Sequence, residues 1–180
     1  MTFSRFRAVP MAALMLVALM SCTDDRSPTG PSAPIAAPSL DGGLLGTGIG
    51  GNLLSCTPLP FASTRQVVGP AGAVLHVGPH LLRIPAGALS QPVMITAEAP
   101  VGRTNSVTLE PHGLVFASGH PAELTLSYSN CSLLGRMLPK RVAYTTDLLQ
   151  ILNYLLSLDD PFHTHVTGFI QHFSRYAVAW

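Results

Sequence analysis

The chain has 180 residues, 47% of them hydrophobic, with 10 Lys and Arg against 9 Asp and Glu and a formal net charge of +1. That length suits one domain with a leader and a linker. The apolar fraction excludes a disordered chain, and the near-neutral balance, with Lys140 the only lysine, leaves no electrostatic footprint for nucleic acid.

Taken in order, residues 1–21 read as a secretory signal peptide. Arg5 and Arg7 form its basic start, Ala8 to Met20 its apolar stretch, and small residues close it. The run is short for a membrane span of about 20 residues. Its end, Leu19-Met20-Ser21-Cys22, resembles the lipobox of bacterial lipoproteins, with Met as a less usual second residue. The resemblance implies that the Cys22 thiolate takes up a diacylglyceryl group and that the signal is cut before it. Two or three acyl chains, such as palmitate, would then give stable anchoring where a single chain is marginal. The plainer readings are an ordinary cleaved signal with a chance cysteine, or an uncleaved anchor. Thr23 rather than Asp follows Cys22, which favours the outer membrane if the source has one. Losing Arg5 and Arg7 takes the formal charge from +1 to −1. The expected location is the bacterial cell envelope, exported and lipid-anchored.

Residues 22–55 read as a disordered tether. Pro28, Pro31, Pro34 and Pro38 forbid a regular helix, and Gly42, Gly43, Gly46, Gly48, Gly50 and Gly51 loosen the chain. A coil of this length spans roughly 30 Å root-mean-square. Gly46 to Gly51 matches G-x-G-x-x-G in form only: proline-rich sequence precedes it and Pro58 and Pro60 follow, where a dinucleotide site needs a strand and a helix.

Residues 56–180 read as all-β, an antiparallel β-sandwich, with short runs of β-branched and aliphatic residues between Gly, Pro and Asn. Val74 to Val77 and His80 to Ile84 form a hairpin turning at Gly78-Pro79. Val93 to Glu98, Ser106 to Leu109, Leu114 to Phe116, Glu123 to Tyr128 and Arg141 to Thr145 supply further strands. Asp147 to Leu158 has helix formers and Asp147 as a candidate N-cap. It also fits a strand after a turn at Thr146-Asp147, and short connections between strands favour that. His165 to Ile170 and Tyr176 to Trp180 close the chain, the last as a buried strand. The expected core is Ile84, Leu89, Ile95, Leu109, Phe116, Leu124, Leu126, Tyr128, Val142, Phe169, Phe173 and Val178.

With Cys22 lipidated, Cys56 and Cys131 remain as an even pair. In an oxidising compartment that is most simply a disulfide; two free thiols are the rival. No Cys-x-x-Cys or close Cys/His set points to a metal.

Three segments together resemble a known family. Pro70-Ala71-Gly72-Ala73 leads to Ile84-Pro85-Ala86-Gly87-Ala88-Leu89; Leu109-Glu110-Pro111-His112-Gly113-Leu114-Val115-Phe116 follows, then Ala122 to Tyr128. Their order is similar to the ZU-five domain, the β-sandwich of ankyrins, netrin receptors and zonula occludens proteins. The resemblance covers about Val67 to Tyr128, and His172 to Trp180 looks like the closing strand of bacterial exported relatives. It implies a sandwich that serves protein interaction, usually without catalysis.

His172-Phe173-Ser174 is the sharpest chemical possibility, because some relatives of that family self-cleave at a similar triplet. Ser174 would attack the Phe173 carbonyl with His172 as the assisting base, given strain in the peptide. Strand alternation offers the plain alternative, with Phe173 inward and its neighbours outward. Seven histidines raise a zinc reading in which His163 and His165 share a strand face, with His172 adjacent and Asp159 or Asp160 behind. His-x-His on an edge strand is more often plain surface. Neither a metal, a cofactor nor a small-molecule substrate is expected. The expected function is a lipid-anchored, non-catalytic interaction or scaffolding domain with a protein partner. The alternative is self-processing at Phe173-Ser174.

Overall fold

The computed structural model describes residues 53–132, 135 and 137–180. The signal peptide, Cys22 and the tether as far as Asn52, glycine run included, lie outside the described residues. Among those described, eleven strands form two antiparallel sheets. β1 (Ala62–Val68), β4 (Val93–Ala99), β5 (Ser106–Glu110), β11 (Arg175–Ala179), β7 (Arg141–Thr145) and β8 (Ile151–Tyr154) make a six-stranded sheet in that spatial order. β2 (Ala73–Val77), β3 (His80–Ile84), β6 (Ala122–Ser127), β10 (His165–Ile170) and β9 (Ser157–Asp160) make the other.

Alternation explains how the sheets close on each other. Along β6, Leu124 and Leu126 turn inward while Glu123 and Thr125 turn outward. Leu75, Leu82, Ile95, Leu109, Val166, Ile170 and Val178 join them in one cluster, and Phe116 packs edge-on against Phe173 with ring centroids 5.2 Å apart. β11, the expected buried final strand, lies between β5 and β7.

The turns follow local chemistry. Gly78 has φ +56° in the two-residue loop that pairs Val77 with His80. With Pro79 behind it, this meets the demand of a type II′ hairpin for glycine first. Gly72 combines φ +75° with close approach, since a Cβ there would lie 2.3 Å from the Ile84 carbonyl oxygen.

Residues 151–160 form two short strands joined through Leu155 and Leu156, and they serve both sheets. β8 pairs with β7 at the edge of the first sheet. The Leu155 N–H then donates to the Val142 carbonyl, and Ser157 Oγ accepts from the Val142 N–H. The Leu156 carbonyl accepts from the Phe169 N–H, and β9 runs on at the edge of the second sheet. The strap thus closes one side of the sandwich. Gly168 makes room for β7 beneath the crossing, because a Cβ there would sit 2.6 Å from Val142 Cβ. Within 147–158, Asp147 and Leu148 form a turn, and the strand that follows is divided between two sheets, with no helix.

Four expectations need correction. The tether does not reach residue 55: Leu53 bridges to Ala179, and the buried Leu54 donates its N–H to the Val178 carbonyl. Leu114 to Phe116 is no strand beyond one bridge between Val115 and His172, because Phe116 is drawn inward to Phe173. Phe169 lies half-exposed on the outer face, since Val166, Gly168 and Ile170 take the inward positions of β10. His163 sits in the turn after β9, off the strand that carries His165.

Candidate functional site

The His172–Ser174 segment is built by the chain returning from β10 to β11 beside the Pro111–Phe116 loop. Phe173 is buried, while His172 and Ser174 are half-buried. The Phe173 carbonyl accepts the Gly113 N–H at 3.0 Å, and His172 Nδ1 lies 3.4 Å from the same oxygen. The Ser174 carbonyl accepts from the Leu109 N–H at 2.9 Å. The Tyr176 hydroxyl donates to the His172 carbonyl at 2.6 Å, and the His172 ring stands edge-on to Tyr144 at 5.1 Å. Burial, then the neighbouring Tyr144, push the Tyr176 hydroxyl well above the usual phenol range. Gly113 can hold this contact because its φ is +76°, a conformation glycine adopts at no steric cost.

The histidines named for a metal stand apart. His163 Nδ1 meets Asp160 Oδ2 at 2.7 Å in the β9–β10 turn. Hydrogen bonds from the His163 side chain and backbone hold the Asp160 carboxyl below its usual range. His165 lies on β10, near enough to His80 to act on its charge, and His172 is flanked by Tyr144 and Tyr176. No group of three His, Cys, Asp or Glu side chains converges among the described residues.

The far end of the sandwich is tied by covalent and polar links. Cys56 and Cys131 are joined as a disulfide between directly opposed residues. Beside them, Asn105 Nδ2 donates to the Ser127 carbonyl at 2.7 Å and to Asn130 Oδ1 at 2.6 Å. Lys140 is buried, its ammonium 5.5 Å above the Tyr128 ring and donating to the Leu138 carbonyl. Asp159 accepts from the Tyr128 hydroxyl at 2.7 Å and from the Lys140 N–H at 2.9 Å. Burial pushes the Lys140 amine down, and Asp159 offsets part of that. His80 is buried with Nδ1 accepting the Ser127 N–H at 3.1 Å, and burial, helped by His165, pulls it down to about 4.

The largest feature that sequence reasoning missed is the outside of the strap. Leu148, Leu152, Leu156, Leu158 and Phe162 are exposed by 83, 54, 77, 62 and 94%. The signal for them was present in the leucines of 147–158. Only the switch between sheets tells which of those leucines stay outside. Leu155 packs against the core, and the leucines on either side of the crossing do not.

No protein-family model matches the chain, and no curated protein matches it.

Proposed function

We propose that this chain is an exported envelope protein, held to a bacterial membrane by lipid on Cys22, and that its β-sandwich is a non-catalytic interaction or scaffolding domain of ZU-five type. The exposed apolar side chains of the strap carry this reading. A surface of that kind in a domain with a filled core is the ordinary mark of a docking face. The lipid anchor is supported by the Leu-x-small-Cys end of the signal peptide, and outer-membrane placement by Thr23 after Cys22. Palmitate labelling and fractionation test the anchor. Wild-type protein is expected to stay with membranes through a carbonate wash and to incorporate label, and Cys22→Ala to do neither. A Cys22→Ala protein that still partitions with membranes removes the anchor.

A second reading, self-processing at Phe173-Ser174, is favoured by one contact: the Gly113 N–H on the Phe173 carbonyl would steady negative charge developing on that oxygen. Ser174 would be the nucleophile and His172 the base. Intact-mass measurement on folded protein decides, since a terminus at Trp180 removes self-processing and a terminus at Phe173 removes the non-catalytic reading.

A further inference from the structure

We propose that one end of the sandwich, the end at which the chain enters the domain, docks on the surface of a lipid bilayer through the exposed apolar side chains of its loops. This rests on the reading of Cys22 as the lipid anchor. The strand registers define that end. In the first sheet Ala62 pairs with Ala99, Ser106 with Ala177 and Arg141 with Ala179, and in the second His165 lies between Ser127 and Asp160. These positions all run out at the same end. A Cβ on Gly78 would lie 3.2 Å from Ala62 Cβ, and Asn105 Nδ2 donates to the Ser127 carbonyl, so the loops of the two sheets meet there. Leu53 bridges to Ala179 at this end, and residues 23–52 join it to Cys22.

Phe61 precedes β1, Val101 lies between β4 and β5, Met137 and Leu138 lie between β6 and β7, and Phe162 sits in the turn after β9. All five are exposed, Phe162 by 94% and Met137 by 81%. Among the described residues, the loops of the opposite end expose only Val115 and Leu148 of comparable size. The five side chains stand on separate segments with no common spacing. A bilayer surface needs none: it asks only that apolar groups project from one end and sink into the headgroup region. Charge fits the same partner. Residues 53–61, 78–79, 100–105, 128–140 and 161–164 contain Arg103, Arg136 and Lys140 and neither Asp nor Glu. Arg103 is exposed, and a basic residue near an anionic lipid surface strengthens binding about fivefold. Asp160, the exposed carboxylate at the end of β9, is already taken up by the His163 ring and by the N–H groups of Phe162 and His163. Reach completes the argument. A coil of the length of residues 23–52 averages roughly 30 Å, which brings the entry end to the surface. The opposite end could touch it only if the tether also ran back along the sandwich. Anchoring then makes docking an intramolecular event, for which weak contacts suffice.

The test uses the lipidated mature chain reconstituted into phosphatidylcholine vesicles, with and without phosphatidylglycerol. Nitroxide-labelled lipids serve as fluorescence quenchers, and melting temperature is the folding control. Trp180, the chain's one tryptophan, is replaced by Trp180→Phe, and a reporter is introduced by Phe162→Trp at the entry end or Leu148→Trp at the other. Vesicle flotation reports the anchor, and quenching reports the docking. Quenching with a blue-shifted emission is expected at position 162 and absent at position 148. Wild-type Trp180, at the entry end, is expected to be quenched with no substitution made. Arg103→Gln is expected to lower the ratio of docked to free domain about fivefold, and only in vesicles that contain phosphatidylglycerol. Protein that floats with vesicles yet shows no quenching at 162 or 180 overturns the docking and leaves the anchor standing. Equal quenching at 162 and 148 also overturns it. So does a blue shift at 162 that lipid nitroxides leave unquenched, which assigns that end to a protein partner instead. Protein that fails to float overturns the anchor and the docking together.

Discussion

β11 and the β8–β9 strap are both short, apolar stretches of strand, and they have opposite fates. β11 has a neighbour on each side, and four of its five residues are buried. The strap has a neighbour on one side only and changes sheet midway, so its leucines lie outside while Leu155 alone plugs the crossing. Residue type marked β11 as strand, and short connections to neighbouring strands favoured strand for the other. Position in the sheet order settled which one became core. Stability should therefore reside in the first region and interaction in the second, and substitutions can separate the two.

The largest effect is expected from Phe116→Ala in the core that β11 completes. Phe116 is nearly inaccessible and packed edge-on against Phe173, so the loss should be about 3–5 kcal/mol in urea unfolding. A loss no larger than that of a strap substitution would erase the distinction. Reducing the disulfide comes next. Its two cysteines are 75 residues apart, and the chain-entropy model gives a loss of about 4 kcal/mol on reduction. Non-reducing peptide mapping should first show the Cys56 and Cys131 peptides joined.

Acid should act on the interior through His80. Its folded value of about 4 lies below the ordinary 6.5, so the unfolded chain takes up the proton first. The contribution of the neutral ring is complete above pH 6.5, falls between there and pH 4, and changes no further below. Two and a half units correspond to about 3 kcal/mol. Urea melts across that range should show the slope in wild type and a flatter one in His80→Gln; equal slopes would remove His80 as the cause. The smallest effects belong to the outside. Leu148→Ser, at 83% exposure, should stay within about 0.5 kcal/mol of wild type. Deleting Pro28 to Gly51 should do the same, and an unfolded deletion variant would show that the tether supports the sandwich.

How far the sequence could be read follows the same division. Alternation placed Leu124, Leu126 and Tyr128 on one face, and Gly78-Pro79 marked its hairpin, because both depend on neighbours along the chain. The even pair of Cys56 and Cys131 followed from the count once Cys22 was set aside. Phe169 was misplaced because its face depends on register with Glu123, which lies on another strand. Leu53 and Leu54 resembled the glycine-rich tether until Ala179 and Val178 supplied partners far along the chain. His80, Asn105, Lys140 and Asp159 look like surface residues in sequence. They are held by polar groups at the disulfide end that only the folded chain brings together. At the candidate cleavage segment the triplet was visible, but the Gly113 contact on the Phe173 carbonyl was not.

The position of β11 bears on when the domain can form. β1, β4 and β5 on one side, and β7 and β8 on the other, are joined into one sheet only by Arg175–Ala179. Without that stretch the two half-sheets would each keep an open edge, a template for the wrong partner. Closing them depends on contacts between residues far apart in the sequence, and such topologies fold slowly, in milliseconds to seconds. Premature compaction is therefore disfavoured during synthesis, and a truncation before Arg175 would leave fragments that aggregate rather than a smaller domain.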